Sequence, residues 1–362
     1  MDQFHEILRA AVERGVSDIH IKVGGPVIFR VSRQLETIEF PVPTGEWMEA
    51  LAEQITPPHA RAKLENDGEV DFSYHLQGVG RFRTNVFRQR GELAMAMRYV
   101  KTLIPDFEEL GLLPVVREMS EAHRGIVLIA GTTGSGKSTT LAAMIQHVNR
   151  HFRKHIVTLE DPIEYVFDDL QSVVEQREIG LDTSGFAAGL KHVVRQDPDI
   201  IMIGEMRDSA SFAAAMSSAD TGHLVLSTLH TTNAAQSVTR ILDFFRPEER
   251  EQTRRQLANT LLAVICQRMT LTADGGITPA LEVLVNSPTV RKLIEENRLE
   301  KLPAAIETGT EEGMINFNQA LFNLVKSGKV TKQEALAKAT NPQALEMNFK
   351  GIFLDEGRRI LG

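Results

Sequence analysis

At 362 residues, with 42% hydrophobic and 24% charged side chains, the chain has an ordinary globular composition and exceeds what one core usually serves, so two or more domains are expected. A net charge of −8 argues against a protein held to nucleic acid by bulk positive charge, although a local basic groove would escape that argument. The one cysteine, Cys266, rules out an internal disulfide and any cysteine-based zinc cluster.

Apolar residues at Phe4, Ile7, Leu8 and Ala11 recur at helical spacing, and Gly15 ends that pattern. Residues 1–14 are acidic and amphipathic and do not read as a signal peptide. No run in the chain approaches the ~20 apolar residues of a membrane span. A cytosolic protein that meets a membrane only through a partner is therefore expected. Residues 18–23 and 27–31 alternate as strands do. Helices are predicted around 46–54 and after Pro58, then strands at 70–74, 80–88 and 93–100. Together these make an α+β domain over residues 1–100.

A linker over 101–114 carries Pro105 and Gly111 as breakers. The second domain is expected over 115–362. Residues 126–130 form a continuous apolar run, as in a strand buried on both faces. A helix is predicted from 137 to about 149. Apolar strands follow at 156–159, 200–203 and 224–228, with helical segments between them. Strand alternating with helix implies a parallel sheet, an α/β fold. From about 248 the chain is read as largely helical. Leu261, Leu262, Val264 and Ile265 place Cys266 in a buried helix there.

The segment Gly131-Thr132-Thr133-Gly134-Ser135-Gly136-Lys137-Ser138 fits the phosphate-loop pattern G-x-x-x-x-G-K-[ST]. Glycines let the backbone fold tightly around an anion and aim its N–H groups inward. The following helix puts its positive N-terminal end on the phosphates. Lys137 supplies a point charge to the β- and γ-phosphates, and the Ser138 hydroxyl is a ligand for Mg²⁺. Thr139 completes the binding set. A glycine turn followed by a lysine is the bland alternative, and the strand before and helix after it argue against that.

Two acidic clusters stand at the carboxyl ends of predicted strands, where open α/β sheets bind ligands. One is Glu160-Asp161-Pro162-Ile163-Glu164 and the other Gly204-Glu205-Met206-Arg207-Asp208. ATP hydrolysis needs one carboxylate to orient water and one to hold the metal's water shell. Glu164 and Glu205 are the candidates. Loop solvation or helix capping is the alternative, and Asp208 suits an N-cap before 209–219. His223 and His230 flank the strand at 224–228; each is either structural or a γ-phosphate sensor. Arg81, Arg83, Arg88, Arg90 and Arg98 cluster on the last strands of the first domain. They read as a solvated strand face or as arginine fingers, the residues alone favouring the former.

The combination resembles the PilT/PilU branch of the type II/type IV secretion ATPases, over residues 4–338. Ser17-Asp18-Ile19-His20-Ile21 is similar to the opening of that family's PAS-like N-terminal domain, and the stretch 80–87 to its arginine-bearing strand. The stretch 156–164 is similar to its Asp box, Arg195-Gln196-Asp197-Pro198-Asp199 with Glu205 to its Walker B region, and Thr221-Gly222-His223 with Ser227-Thr228-Leu229-His230-Thr231 to its His box. The resemblance implies a PAS-like α+β domain followed by a RecA-like P-loop ATPase domain with a helical C-terminal region. It implies ATP and Mg²⁺ as ligands, Glu164 as the catalytic carboxylate, Glu205 acting on the metal, and His223 and His230 in the nucleotide pocket. Arg83 and Arg98 would reach the γ-phosphate across the domain interface. A homohexamer working on an inner-membrane platform protein is implied, docked peripherally at that membrane and without nucleic acid.

The sequence departs from the family pattern in three places. Thr132 replaces a proline, Ser32-Arg33 replaces a tight Asp-Gly turn, and Thr289-Val290-Arg291-Lys292-Leu293-Ile294-Glu295 ends the retraction motif in glutamate where the family has arginine. The last leaves a main motor and an accessory paralogue both open. Other readings are a pilus-extension or secretion ATPase, which usually carries a four-cysteine zinc insertion, a RecA-like nucleic-acid motor, and a regulatory ring without useful turnover.

Overall fold

The computed structural model describes residues 1–31, 34–100 and 103–352, apart from the side chain of His59. The Ser32-Arg33 turn and the first two linker positions, Lys101 and Thr102, lie outside the described residues. The chain divides into two compact units: Met1–Thr102 with Pro162–Val166, and Leu103–Asp161 with Phe167–Gly362.

In the first unit, helix α1 (Asp2–Glu13) buries Phe4, Ile7, Leu8 and Ala11, the stripe its sequence spacing predicts. Strands β1 (Asp18–Lys22), β2 (Val27–Val31) and β3 (Gln34–Ile38) follow, then helices α2 (Gly45–Ile55) and α3 (Pro58–Asp67). Strands β4 (Glu69–Leu76), β5 (Gly80–Gln89) and β6 (Glu92–Tyr99) complete an antiparallel sheet of order β3-β2-β1-β6-β5-β4. Its apolar face and the helices share one core that includes Phe29, Met48, Phe82 and Val86. The sequence pattern missed β3, whose residues are exposed up to Ile38 and carry no buried alternation.

The second unit opens with short helices α4 (Phe107–Leu110) and α5 (Pro114–Ser120). The expected linker is thus partly helical: Asp106 and Glu109 close a capping box around α4, and Gly111 ends it in the left-handed conformation. The sheet strands are β7 (Gly125–Ala130), β8 (His155–Glu160), β9 (Val173–Glu178), β10 (Ile200–Ile203), β11 (Leu224–Leu229), β12 (Leu261–Leu271) and β13 (Ile277–Val285). Helices α6 (Lys137–His151), α7 (Phe186–Val193), α8 (Ser209–Asp220), α9 (Ala234–Asp243) and α10 (Arg250–Thr260) connect them. The order is β13-β12-β7-β11-β10-β8-β9, parallel throughout except for the antiparallel edge strand β13.

The helical reading of the region after 248 fails at 261–285. The apolar run that holds Cys266 is strand β12, paired with β7 on one side and β13 on the other. Such a run is fully buried in either structure, so periodicity could not tell them apart. Cys266 is buried, as expected. Beyond β13 the chain is helical in α11 (Pro288–Glu295), α12 (Leu302–Thr308), α13 (Phe317–Lys326), α14 (Lys332–Lys338) and α15 (Pro342–Phe349). From β13, Glu282 accepts a 2.8 Å hydrogen bond from Ala234 N, the first residue of α9, where a helix favours negative charge. No helix among the described residues is long and apolar enough to cross a membrane.

Candidate nucleotide site

Strand β7 is buried along its whole length and delivers the chain to the glycine loop at the carboxyl edge of the sheet. Gly131 has φ +152°, and a Cβ there would lie 2.4 Å from Ser135 Oγ and 2.8 Å from Gln267 O. Only glycine fits between the loop's own serine and strand β12. Gly136 caps α6 in the left-handed conformation at φ +86°. The backbone therefore curls as a phosphate cradle must, with the N-terminus of α6 at its base. Lys137 is buried, and its Nζ donates to Gly131 O at 2.9 Å and Thr132 O at 3.0 Å. Thr132, Thr133 and Gly134 are exposed at the loop's crest, and Ser138 and Thr139 are half-buried. Ser135 is buried, and its Oγ has no hydrogen-bond partner among the described residues, an orphaned polar atom inside the cradle.

The carboxyl edge carries further groups. Glu205 follows β10. Its Oε2 pairs with Arg207 Nη2 at 2.7 Å, and its Oε1 with His230 Nε2 at 3.4 Å. Hydrogen bonding and charge from Glu205, and more weakly the charge of Asp161, hold the Arg207 guanidinium above its ordinary value. His230 follows β11, the strand between β7 and β10. Glu205 and His230 thus meet at the carboxyl edge of the sheet. Asp208 caps α8 by accepting from Ser211 N at 2.7 Å, a structural role. β10 lies two strands from β7 and β8 three, roughly 10 and 14 Å at ordinary strand spacing.

His223 lies apart from this group. It precedes β11, while His230 follows it, so the two stand at opposite edges of the sheet. Seven residues of extended chain separate them by roughly 23 Å. His223 Nδ1 lies 2.8 Å from Ser218 O and its carbonyl accepts from Gly125 N, at the start of β7. The structure does not bring it to the glycine loop.

In the first unit, Arg83 on β5 and Arg98 on β6 are directly opposed, both exposed. Arg98 Nε donates to Asp18 Oδ1 at 2.8 Å, while Arg83 has no partner among the described residues. Asp18 also lies 3.8 Å from Arg30 Nε. Glu164 lies in the segment Pro162–Val166, which belongs to this same compact unit.

Sequence reasoning missed three supporting residues. Gln267, buried on β12, donates from Nε2 to Thr140 Oγ1 of α6 at 2.9 Å. Glu160, buried at the end of β8, accepts from Thr158 Oγ1 at 2.7 Å and Gln176 Nε2 at 2.9 Å. Gly204 approaches the same stem: its N donates to Leu159 O at 2.8 Å. The only advance signal was the polarity of Gln176 and Gln267 within otherwise strand-like sequence.

Comparison with known proteins agrees with this architecture. The chain is 39% identical to the type IV pilus retraction ATPase PilT of Pseudomonas aeruginosa, across 93% of this chain and 98% of that one. It is 38% identical to the type IV pilus ATPase PilU of the same organism, across 96% of this chain and 91% of that one. A crystal structure of the pilus retraction motor PilT with bound ADP superposes with a TM-score of 0.86 at 42% identity, covering 94% of this chain and 98% of that chain. Residues 2–277 match the family described as type II/IV secretion system protein. A nucleotide-binding ATPase fold, built around the glycine loop and matched along nearly its whole length, makes the chain a member of the type II/IV secretion system protein family.

Proposed function

We propose that this chain is an ATP-hydrolysing motor that powers type IV pilus retraction, acting as a homohexamer on an inner-membrane platform protein. The observation that carries the ATPase reading is the cradle at Gly131–Gly136, closed against β12 so tightly that no side chain fits at Gly131. Lys137, the loop N–H groups and the N-terminus of α6 neutralise the β- and γ-phosphates of ATP. Ser138 and Glu205 are the residues that would hold Mg²⁺, which supplies charge neutralisation at the phosphates. Glu164 orients the attacking water, and His230 reports on the γ-phosphate through its pair with Glu205. Arg83 and Arg98 are assigned to the γ-phosphate; the direct opposition of two like charges in neighbouring strands, otherwise unfavourable, supports an anion between them. We read the first unit's antiparallel sheet as the family's PAS-like domain and the second as RecA-like. Assembly would place the chain at the cytoplasmic face of the inner membrane.

The test is Glu164→Gln. It is expected to bind ATP normally and to hydrolyse it about 10²–10³-fold more slowly. Hydrolysis at the wild-type rate would refute the assignment.

One observation favours a second reading, an accessory ATPase beside a main retraction motor. Glu295 is exposed at the last residue of α11, where the helix dipole disfavours a negative charge. Its carbonyl accepts from Arg254 Nε at 3.2 Å. A surface that carries arginine there in the retraction motif carries the opposite charge here. Complementing a deletion strain with the wild-type chain and with Glu295→Arg separates the readings: only the main motor restores retraction alone.

A further inference from the structure

We infer that Gln176 is a positioning residue that sets the placement of Glu164, an inference that rests on the reading of Glu164 as the water-orienting carboxylate. The geometry is a single amide holding both stems of one segment. Gln176 sits on β9 opposite Thr158 of β8. Its Nε2 donates to Glu160 Oε1 at 2.9 Å, on the last residue of β8. Its Oε1 accepts from Phe167 N at 3.0 Å. Glu160 and Phe167 flank residues 161–166, and Glu164 lies between them. The chain leaves the second unit after Asp161 and re-enters it at Phe167. Gln176 therefore ties the exit point to the re-entry point.

The chemistry of the two ends explains why an amide is needed. Glu160 is a buried carboxylate and requires donors; Thr158 Oγ1 is one and Gln176 is another. Phe167 N is a donor and requires an acceptor. A primary amide offers both in one plane at fixed separation, and no other neutral side chain of this length does. A carboxylate at 176 would serve Phe167 and repel Glu160. The tied stem also touches the other acidic segment. A Cβ at Gly204 would lie 3.4 Å from Leu159 O and 3.5 Å from Glu160 Cα. Gly204 O in turn accepts from Thr228 Oγ1 at 2.6 Å. The backbone just before Glu205 is thus packed on the same stem, so a displaced stem would disturb both carboxylates.

The experiment is a donor swap in the full chain, read by steady-state hydrolysis and by binding of a fluorescent ATP analogue. Gln176→Ala is expected to lower kcat about tenfold, with KM and analogue affinity within about twofold. Gln176→Glu is expected to be worse at pH 8 and to recover as pH is lowered, because a proton shared between two adjacent carboxylates restores the donor. The double variant Glu160→Gln with Gln176→Glu reverses the donor direction: the amide nitrogen introduced at 160 donates to the carboxylate at 176 and to Thr158 Oγ1, whose hydroxyl turns to accept, while Phe167 N still donates to the side chain at 176. It is expected to recover to within about threefold of wild type and to lose the acid dependence. A double variant no more active than the worse single variant overturns the inference, as does wild-type kcat in Gln176→Ala. Glu164→Gln is assayed alongside. If it hydrolyses ATP normally, the underlying reading fails and this inference with it; if it is inactive while Gln176→Ala is normal, only the positioning role fails.

Discussion

The glycine loop of the second unit and the arginine row of the first solve opposite electrostatic problems. In the loop, the one buried cation is satisfied locally: Lys137 donates to the carbonyls of Gly131 and Thr132, and the loop is complete within a strand, a turn and a helix. On the first unit's sheet, Arg83 faces Arg98 across a strand pair, with Asp18 engaging Arg98 and Arg30 but not Arg83. The loop is finished by short-range chain geometry. The arginine row gains from an anion brought by something else. Under the proposed function, binding and turnover should therefore separate: the loop would govern whether nucleotide is held, and the arginines whether held nucleotide reacts.

Five substitutions sharpen that contrast, from the largest effect to the smallest. Lys137→Ala is expected to abolish hydrolysis by about 10³-fold or more and to weaken nucleotide binding. If analogue binding survived unchanged, the loop would not be the binding site. Arg83→Ala is expected to lower hydrolysis by about 10²-fold with binding little changed, and Arg98→Ala by less, because Asp18 already shares its charge. Equal loss of binding in both would erase the distinction between loop and row. Next come the two histidines. His230→Ala should lower turnover about tenfold, while His223→Ala should leave it within about twofold and cost ~1 kcal/mol of stability through its lost hydrogen bond. A reversed order would return His223 to the chemistry.

The smallest effect concerns Glu282. Burial pushes its carboxyl above the ordinary glutamate value, against the Ala234 N–H and the Arg268 guanidinium. With a raised folded-state value, its stabilising share is fully present below about pH 4.5 and is lost as pH rises through the folded value. Glu282→Gln removes that titration. The unfolding temperature of the variant relative to wild type should thus climb from pH 5 to pH 8. A constant difference across that range would mean the carboxyl is not perturbed.

The parts of this molecule legible in its sequence are those fixed by local rules. The amphipathic stripe of α1, the apolar run of β7 with its glycine loop, and the Asp208 cap all depend on residues within a turn or two. The parts that were not legible depend on partners far along the chain. β12 reads as a buried helix until β7 and β13 are seen on either side of it. β3 and β9 lie at sheet edges, where one flank needs no apolar pattern. His223 was grouped with His230 because both flank one strand, but a strand carries its ends apart as surely as it carries its neighbours together. The polarity of Gln176 marked it as unusual in a strand, but not what it holds, because its two partners lie on separate stretches of chain.

The contact between Gly131 and β12 has a consequence for the order in which the protein comes to exist. The cradle is walled by Gln267 O, and Gln267 Nε2 braces Thr140 from 127 residues further on. A ribosome that has synthesised the glycine loop and α6 has not yet made the wall they lean on. Non-local pairings of this length form late. Nucleotide capture therefore belongs to the finished sheet: a nascent chain halted before β12 would carry the whole phosphate-loop motif and lack the wall that shapes its cradle.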